Sequence, residues 1–257
     1  MKNPKSILIT GASSGIGEAL AHAYAKPEAI LYLSGRNEER LNKVADQCCQ
    51  QGASVNVVIL DVTDRKAMKD WILAANTQNS LDLVIANAGI SGGTGAMAGE
   101  PVSQAREIFD VNMNGVLNTI EPVLSKMVER GKGQIVFISS LAGYRGWPTA
   151  PAYSASKGAV RFYGEALRGA LKQTGVEVNV VCPGFVTSRI TDANEFKMPM
   201  KMQADKAANI IKVGLEKNKG RIVFPWPVAF VSWLLSILPD GLAQIILAKF
   251  PAKSELH

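Results

Sequence analysis

The 257 residues predict an α/β protein built on one open, doubly wound parallel sheet of about seven strands with helices on both faces. Three observations predict it. Short apolar runs rich in β-branched residues alternate with longer helical patterns along most of the chain. The apolar runs are nearly continuous, as expected of strands covered on both faces. A glycine-rich turn directly follows the first run.

Residues 6–10 (SILIT) read as a short buried strand and 15–25 as the helix that returns from it. Residues 30–34 (ILYLS) form the second strand and 38–51 a polar amphipathic helix. The third strand is 55–60 (VNVVIL), followed by a helix over 64–78. The fourth is 81–86 (LDLVIA), and two helices then cover about 103–130. The fifth is 134–139 (QIVFIS), a helix spans 152–173, and 177–182 (EVNVVC) is the sixth. An eight-stranded barrel competes with the open sheet, but it needs eight strand–helix units. The smaller count and the glycine turn favour the open sheet, with its ligand at the carboxyl ends of the strands. No linker or internal repeat divides the chain, so residues 1–257 are expected to form a single domain.

Hydrophobic residues make up 47% and charged residues 19%, which supplies a core and argues against disorder. The net charge of +6 comes from scattered basic residues, so a nucleic-acid partner is not expected. A mild attraction to anionic cofactors or membrane surfaces stays open. Cys48, Cys49 and Cys182 are odd in number and lack CxxC spacing. Neither a disulfide framework nor a zinc site is expected, and a reducing, cytoplasmic setting is. His22 and His257 are too few for a histidine-based metal or nucleophile site. The N-terminal MKNPKSILITG has no signal-peptide core.

The turn Thr10-Gly11-Ala12-Ser13-Ser14-Gly15-Ile16-Gly17 lies between the first strand and the first helix. Glycine allows positive φ and close approach of backbone to a ligand. The helix N-terminus offers free N–H groups and a positive dipole end to a pyrophosphate. Ser13 and Ser14 add hydroxyl donors. Position after the first strand favours a dinucleotide over a plain tight turn. The end of the second strand selects which one. A carboxylate there would bind the ribose 2′-hydroxyl of NAD, but the sequence reads Ser34-Gly35-Arg36-Asn37. Arg36 can form a charge-assisted fork to a 2′-phosphate, so NADP(H) is expected, with NAD(H) the alternative. Asp61 and Val62 follow the third strand. Asp61 reads equally as an adenine-side contact or as a turn or capping aspartate.

Tyr153 and Lys157 stand four apart on a predicted helix, hence on one face, about 5–6 Å apart at Cβ. A free tyrosine, with a pKa near ~10, is a poor base at neutral pH. An ammonium about 4 Å away at a dielectric near ~20 contributes roughly 4 kcal/mol, enough to lower that pKa into a useful range. Ser140 closes the fifth strand at the ligand-binding edge and can hold a substrate oxygen beside the phenol.

These motifs resemble the short-chain dehydrogenase/reductase family, NADP(H)-preferring type. TGASSGIG at 10–17, ANAG at 86–89, Asn112 in VNMNG, ISSLAG at 138–143, YSASK at 153–157 and PGFVTS at 183–188 occur in family order. The resemblance implies a Rossmann-type fold and an oxidoreductase that moves a hydride between a nicotinamide and a carbonyl or alcohol carbon. It implies Tyr153 as general acid/base and Lys157 as the residue that lowers its pKa and holds the nicotinamide ribose. Ser140 would orient the substrate oxygen, and Asn112 would support a relay water. Asn87, Ala88 and Gly89 would lie beside the adenine-side ribose. Pro183, Gly184, Val186 and Ser188 would form the nicotinamide-side loop. Ala86 replaces a usual asparagine and Ser188 a usual threonine. The resemblance also implies a homodimer or homotetramer, paired through the helices near 103–130 and 152–173. A non-catalytic dinucleotide sensor is the rival reading, but it would be expected to lose Tyr153, Lys157 or Ser140.

The C-terminal part is less informative. Residues 191–202 carry three of the eight methionines, suited equally to a substrate lid or to core filling. The run 228–238 has only Ser232 and Ser236 as polar residues, and at about 16 Å is too short to cross a ~30 Å bilayer core. Packing on the core, a subunit interface, a pocket wall for a fairly apolar small-molecule substrate, and a membrane contact by a reductase of lipid-like ketones all remain open. Burial or dimerisation is preferred to the membrane.

Overall fold

The computed structural model describes residues 1–95, 99–192 and 198–249. Its strands are β1 (Ser6–Thr10), β2 (Ile30–Gly35), β3 (Ser54–Ile59), β4 (Leu83–Ala86), β5 (Gly133–Ile138), β6 (Val176–Pro183) and β7 (Arg221–Phe224). They form one sheet in the order β3-β2-β1-β4-β5-β6-β7, parallel throughout. The chain winds from β1 to one edge, returns to β4 and winds to the other. That reversal opens a crevice at the carboxyl ends of β1 and β4. The doubly wound sheet is the one the sequence predicts.

The first helices are α1 (Gly15–Tyr24), α2 (Glu38–Gln50), α3 (Arg65–Gln78), α4 (Val102–Phe109) and α5 (Gly115–Glu129). They are followed by α6 (Pro151–Ala170), α7 (Arg189–Asp192), α8 (Ala204–Glu216), α9 (Trp226–Ile237) and α10 (Asp240–Leu247). Strand alternation splits the core between the two faces. Ile7, Ile9, Val136 and Ile138 pack with Leu20, Leu41 and Ile211 on the side of α1, α2 and α8. Leu8, Ile135 and Phe137 pack with Ile72, Ile120 and Val160 on the side of α3, α5 and α6. Each such fully buried side chain contributes about 1.5–3 kcal/mol. β1, β4 and β5 are buried along their length, which explains their continuous apolar runs. The edge strand β3 departs from that expectation, since Ser54, Asn56 and Ile59 are exposed.

The six strands located from the sequence are present within two residues of their expected bounds. The seventh, RIVF, is a half-covered edge strand too short to stand out as an apolar run. The expected helix over 152–173 ends at Ala170. The two helices near 103–130 are joined without a loop by a π-helical turn, Asp110–Asn114.

The tail is only partly buried. Ala229, Ser232 and Leu235 of α9 face inward. Trp226, Phe230, Trp233 and Ile237 form an exposed stripe along one helix face, continued on α10 by Leu242, Ile245 and Ile246. Core packing therefore accounts for one side of α9 alone. Among the described residues no helix is long and apolar enough to cross a membrane. In the 191–202 segment, residues 193–197 lie outside the described residues, Met202 packs against the core and Met200 is exposed.

Candidate active site

A cleft of about 460 Å³ runs across the carboxyl ends of the central strands. Its floor is the turn after β1. Gly15 has φ +60, a region L side chains avoid, and a Cβ there would sit 2.7 Å from Ser188 Cβ. A Cβ on Gly17 would lie 2.3 Å from the Gly11 carbonyl oxygen. The turn is locked from below by Asn87, whose Nδ2 donates to the Thr10 and Gly11 carbonyls at 2.9 and 3.1 Å. Ser14 is the N-cap of α1 in an extended conformation, yet its hydroxyl makes no capping bond. The first amides of α1 therefore open onto the cleft beside Ser13 and Ser14. This cradle fits a pyrophosphate, and extra side chains would fill it.

At one end stand Arg36 and Arg40. Arg36 is more than half exposed, with Asp61 Oδ2 at 3.7 Å. Arg40 lies one helical turn beyond and lines the same cleft. Its buried Nε has no partner among the described residues. Asn37, the N-cap of α2, accepts from the Arg40 backbone N–H at 3.0 Å and fixes that turn. Asp61 takes the turn role read from the sequence: its Oδ1 accepts from Thr63 N at 2.9 Å and from the Thr63 hydroxyl at 2.8 Å. It also lines the cleft, so the two readings are compatible. The helix cap itself is Asp64, bonded to Ala67 N.

At the other end Tyr153 and Lys157 project from α6 into the cleft. The Tyr153 hydroxyl hydrogen-bonds Ser140 and Ser91. Burial of the phenol pushes its pKa above the ordinary 10, and the two serines partly offset this by favouring the phenolate. Lys157 Nζ donates to the Ile138 carbonyl at 3.0 Å, and burial lowers its pKa from 10.5 to about 8. The lowering of the Tyr153 pKa expected from spacing is not what this geometry gives. The reason is physical: the ammonium is directed at the Ile138 carbonyl, and desolvation outweighs the remaining effects. The turn after β5 packs on α6, with the Ser139 hydroxyl donating to the Lys157 carbonyl at 2.7 Å. A Cβ on Gly143 would meet the Lys157 carbonyl carbon at 2.6 Å. This contact fixes the height of Ser140 against Tyr153.

Of the residues singled out from the sequence, all but Gly17 and Asn112 line the cleft. Gly17 lies under the turn. Asn112 is fully buried in the π-helical turn. Its amide holds both polar groups of Ile90, accepting from Ile90 N at 2.8 Å and donating to Ile90 O at 2.9 Å. It also donates to the Ser156 hydroxyl at 3.0 Å. Sequence reasoning missed Arg40, Ser91 and Thr191. Arg40 was detectable from its i, i+4 relation to Arg36, and Ser91 from its place two residues after the ANAG motif at 86–89. Thr191, which donates to the Val186 carbonyl at 2.9 Å and receives the Ser188 N–H at 2.9 Å, carries no sequence signal of its own. Among the described residues no group of three or more His, Cys, Asp or Glu side chains is placed to hold a metal ion, and Cys48, Cys49 and Cys182 are free thiols.

Comparison with known proteins follows the same lines. The sequence model of the family described as short chain dehydrogenase matches residues 5–198. An uncharacterized oxidoreductase of Myxococcus xanthus (strain DK1622) is 38% identical over 239 residues, covering 93% of this chain and 94% of the relative. Among solved structures, a short-chain dehydrogenase from Sphingobium yanoikuyae in complex with NADPH superposes with a TM-score of 0.80 at 25% identity, covering 96% of each chain. A short-chain type dehydrogenase/reductase from Mycobacterium marinum gives 0.76 at 27% identity, covering 85% of this chain and 93% of that one.

Proposed function

The chain belongs to the short-chain dehydrogenase family of oxidoreductases acting on alcohol or carbonyl groups with a nicotinamide cofactor, and on that premise we propose that it is an NADP(H)-dependent carbonyl reductase with Tyr153 as its general acid/base. The observation that carries this reading is the Tyr153 hydroxyl bonded to Ser140, with Lys157 one helical turn away in the same cleft. A bound nicotinamide supplies the hydride. The chain supplies the proton and the geometry. Ser140 holds the carbonyl oxygen, Tyr153 donates its phenolic proton to it, and Lys157 resupplies that proton. Asn112 acts by holding the Ile90 segment that walls the site, where a water would complete the relay to Lys157.

The preference for NADP(H) over NAD(H) rests on the absence of a carboxylate at the end of β2 and on Arg36 and Arg40 at the cleft rim. Ser13 and Ser14 with the first amides of α1 would hold the pyrophosphate, and Asp61, Val62 and the 87–89 segment would flank the adenine side. Pro183, Gly184, Val186 and Ser188 line the same cleft and would hold the nicotinamide side.

We read residues 1–257 as one domain and the molecule as a homodimer or homotetramer of the cytoplasm, acting on a fairly apolar small carbonyl compound. The exposed face of α9 and α10 suits a subunit contact better than a lipid contact. α9 carries no charged residue, whereas helices that lie on membranes present a lysine- and arginine-rich polar face. Sedimentation as a monomer together with capture by lipid vesicles would reverse that assignment. The catalytic reading is tested with a panel of polar and apolar ketones and aldehydes, following loss of NADPH absorbance. Tyr153→Phe is expected to abolish turnover and keep NADPH affinity within about twofold; retained turnover refutes the reading.

A further inference from the structure

The segment after β4 presents a second hydroxyl to the reacting phenol. Ser91 hydrogen-bonds the Tyr153 hydroxyl, as Ser140 does, and lines the same cleft. This placement is built from both flanks. On one, Asn112 clamps both the N–H and the carbonyl of Ile90 at 2.8 and 2.9 Å. On the other, the buried Gln104 donates to the Gly93 carbonyl at 3.0 Å and to Glu100 at 2.8 Å. A Cβ on Gly92 would meet the Gln104 side chain at 2.6 Å, so the segment lies flat against α4. Thr94 N donates to the Thr149 carbonyl at 3.1 Å, and Glu100 accepts from Ala152 N at 2.8 Å, tying the same segment to the first turn of α6. Ser91 is thus held in register with Tyr153 by contacts to α4, the π-helical turn and α6 together.

We propose that Ser91 is a second positioning hydroxyl for the acid/base, holding the Tyr153 phenol in line with Ser140 and donating to it when it has given up its proton. The proposal rests on the assignment of Tyr153 made above. It involves no bond change at Ser91: the serine keeps its proton and supplies a hydrogen bond that is stronger to a phenolate than to a phenol. Without it, the phenolate keeps Ser140 as its one serine donor.

Beside Tyr153 in the cleft stands Lys157 on α6, with Cys182 on β6 close enough to act on its charge. Lys157 loses its proton near 8 and gives a separate, earlier step.

The test labels tyrosine with carbon-13 at Cζ in the full chain saturated with NADP⁺. The Tyr153 resonance is identified by its loss in Tyr153→Phe, and its titration midpoint is read. Ser91→Ala is expected to raise that midpoint by about one pH unit, and Ser91→Thr to restore it. The thermal midpoint should stay within about 1 °C, since a single part-exposed hydroxyl is removed. A midpoint unmoved in Ser91→Ala, or moved equally in Ser91→Thr, overturns the role of Ser91 and leaves the assignment of Tyr153 intact. Turnover that survives Tyr153→Phe overturns both.

Discussion

Replacing Lys157 with methionine should stabilise the fold while destroying the site. Burial lowers the Lys157 pKa from 10.5 to about 8. Below pH 8 the folded chain holds an ammonium out of water that the unfolded chain leaves solvated, at a cost of about 3 kcal/mol. The sign follows from proton counts. Between pH 8 and 10.5 the unfolded chain binds the proton and the folded chain does not, so stability rises with pH across that window. The cost is complete below pH 8 and gone above 10.5. Methionine keeps most of the stem volume and carries no charge, but leaves the Ile138 carbonyl without its 3.0 Å donor, a loss of about 1–2 kcal/mol. The net gain at pH 7 is about 1–2 kcal/mol, or a rise in Tm of about 2–8 °C. Urea unfolding at several pH values reads it directly. The advantage of Lys157→Met should shrink as pH climbs past 8 and reverse at about pH 9–10, where the remaining burial cost falls below that of the orphaned carbonyl. A variant less stable than wild type at pH 7, or a difference that does not change with pH, would refute this account of the buried lysine.

Arg40→Ala should weaken NADPH binding about tenfold or more and leave NADH binding nearly unchanged, because one charge-assisted bond to a phosphate contributes about 1.5–3 kcal/mol; calorimetric titration with both nucleotides separates the two outcomes. Gly17→Ala forces its Cβ to within 2.3 Å of the Gly11 carbonyl oxygen, so the turn must shift. A loss of about 1–3 kcal/mol in chemical denaturation is expected, together with loss of nucleotide affinity. Arg145 donates to the Leu235 and Leu238 carbonyls at 3.4 and 3.0 Å and pairs with Asp240 at 2.6 Å. Arg145→Ala should therefore lower stability by about 1–2 kcal/mol and speed hydrogen exchange along α9.

The central strands were legible because they are covered on both faces. SILIT and QIVFIS carry apolar centres with polar residues only at their ends, and their shortness and β-branched content favour a buried strand over a helix. β7 was not located for the converse reason: as an edge strand it buries only Ile222 and Phe224, and alternation over four residues is weak. The glycine turn and the Tyr153–Lys157 spacing were readable because they are local. Ser91 and Arg40 left only a positional trace in the sequence, because their significance lies in what stands across the cleft. The electrostatics were least readable. Spacing placed an ammonium one turn from a phenol, but the sign of the Tyr153 shift depends on burial and on where the ammonium points. The exposed stripe on α9 could not be read either, since a helix that is apolar on every side looks the same whether a core or a partner covers it.

Three separate segments meet at the Tyr153 hydroxyl, and the contacts that align them are made away from the reacting atoms. α6 carries the phenol. The turn after β5 brings Ser140 and is seated on α6 by the Ser139 hydroxyl and the closeness of Gly143. The segment after β4 brings Ser91 and is held by Asn112 and Gln104. Asn112 can reach Ile90 because the π-helical turn at Asp110–Asn114 gives the 102–129 helix an extra residue there, rotating the side chain inward without ending the helix. A regular α-helical turn would displace every later residue by about 100° around the axis and aim Asn112 elsewhere. The geometry of the site is therefore set as much by one irregular turn in a neighbouring helix as by the helix that bears the tyrosine and lysine. A substitution that regularises that turn should misalign Ser91 and Tyr153 while leaving all of the hydroxyls in the sequence.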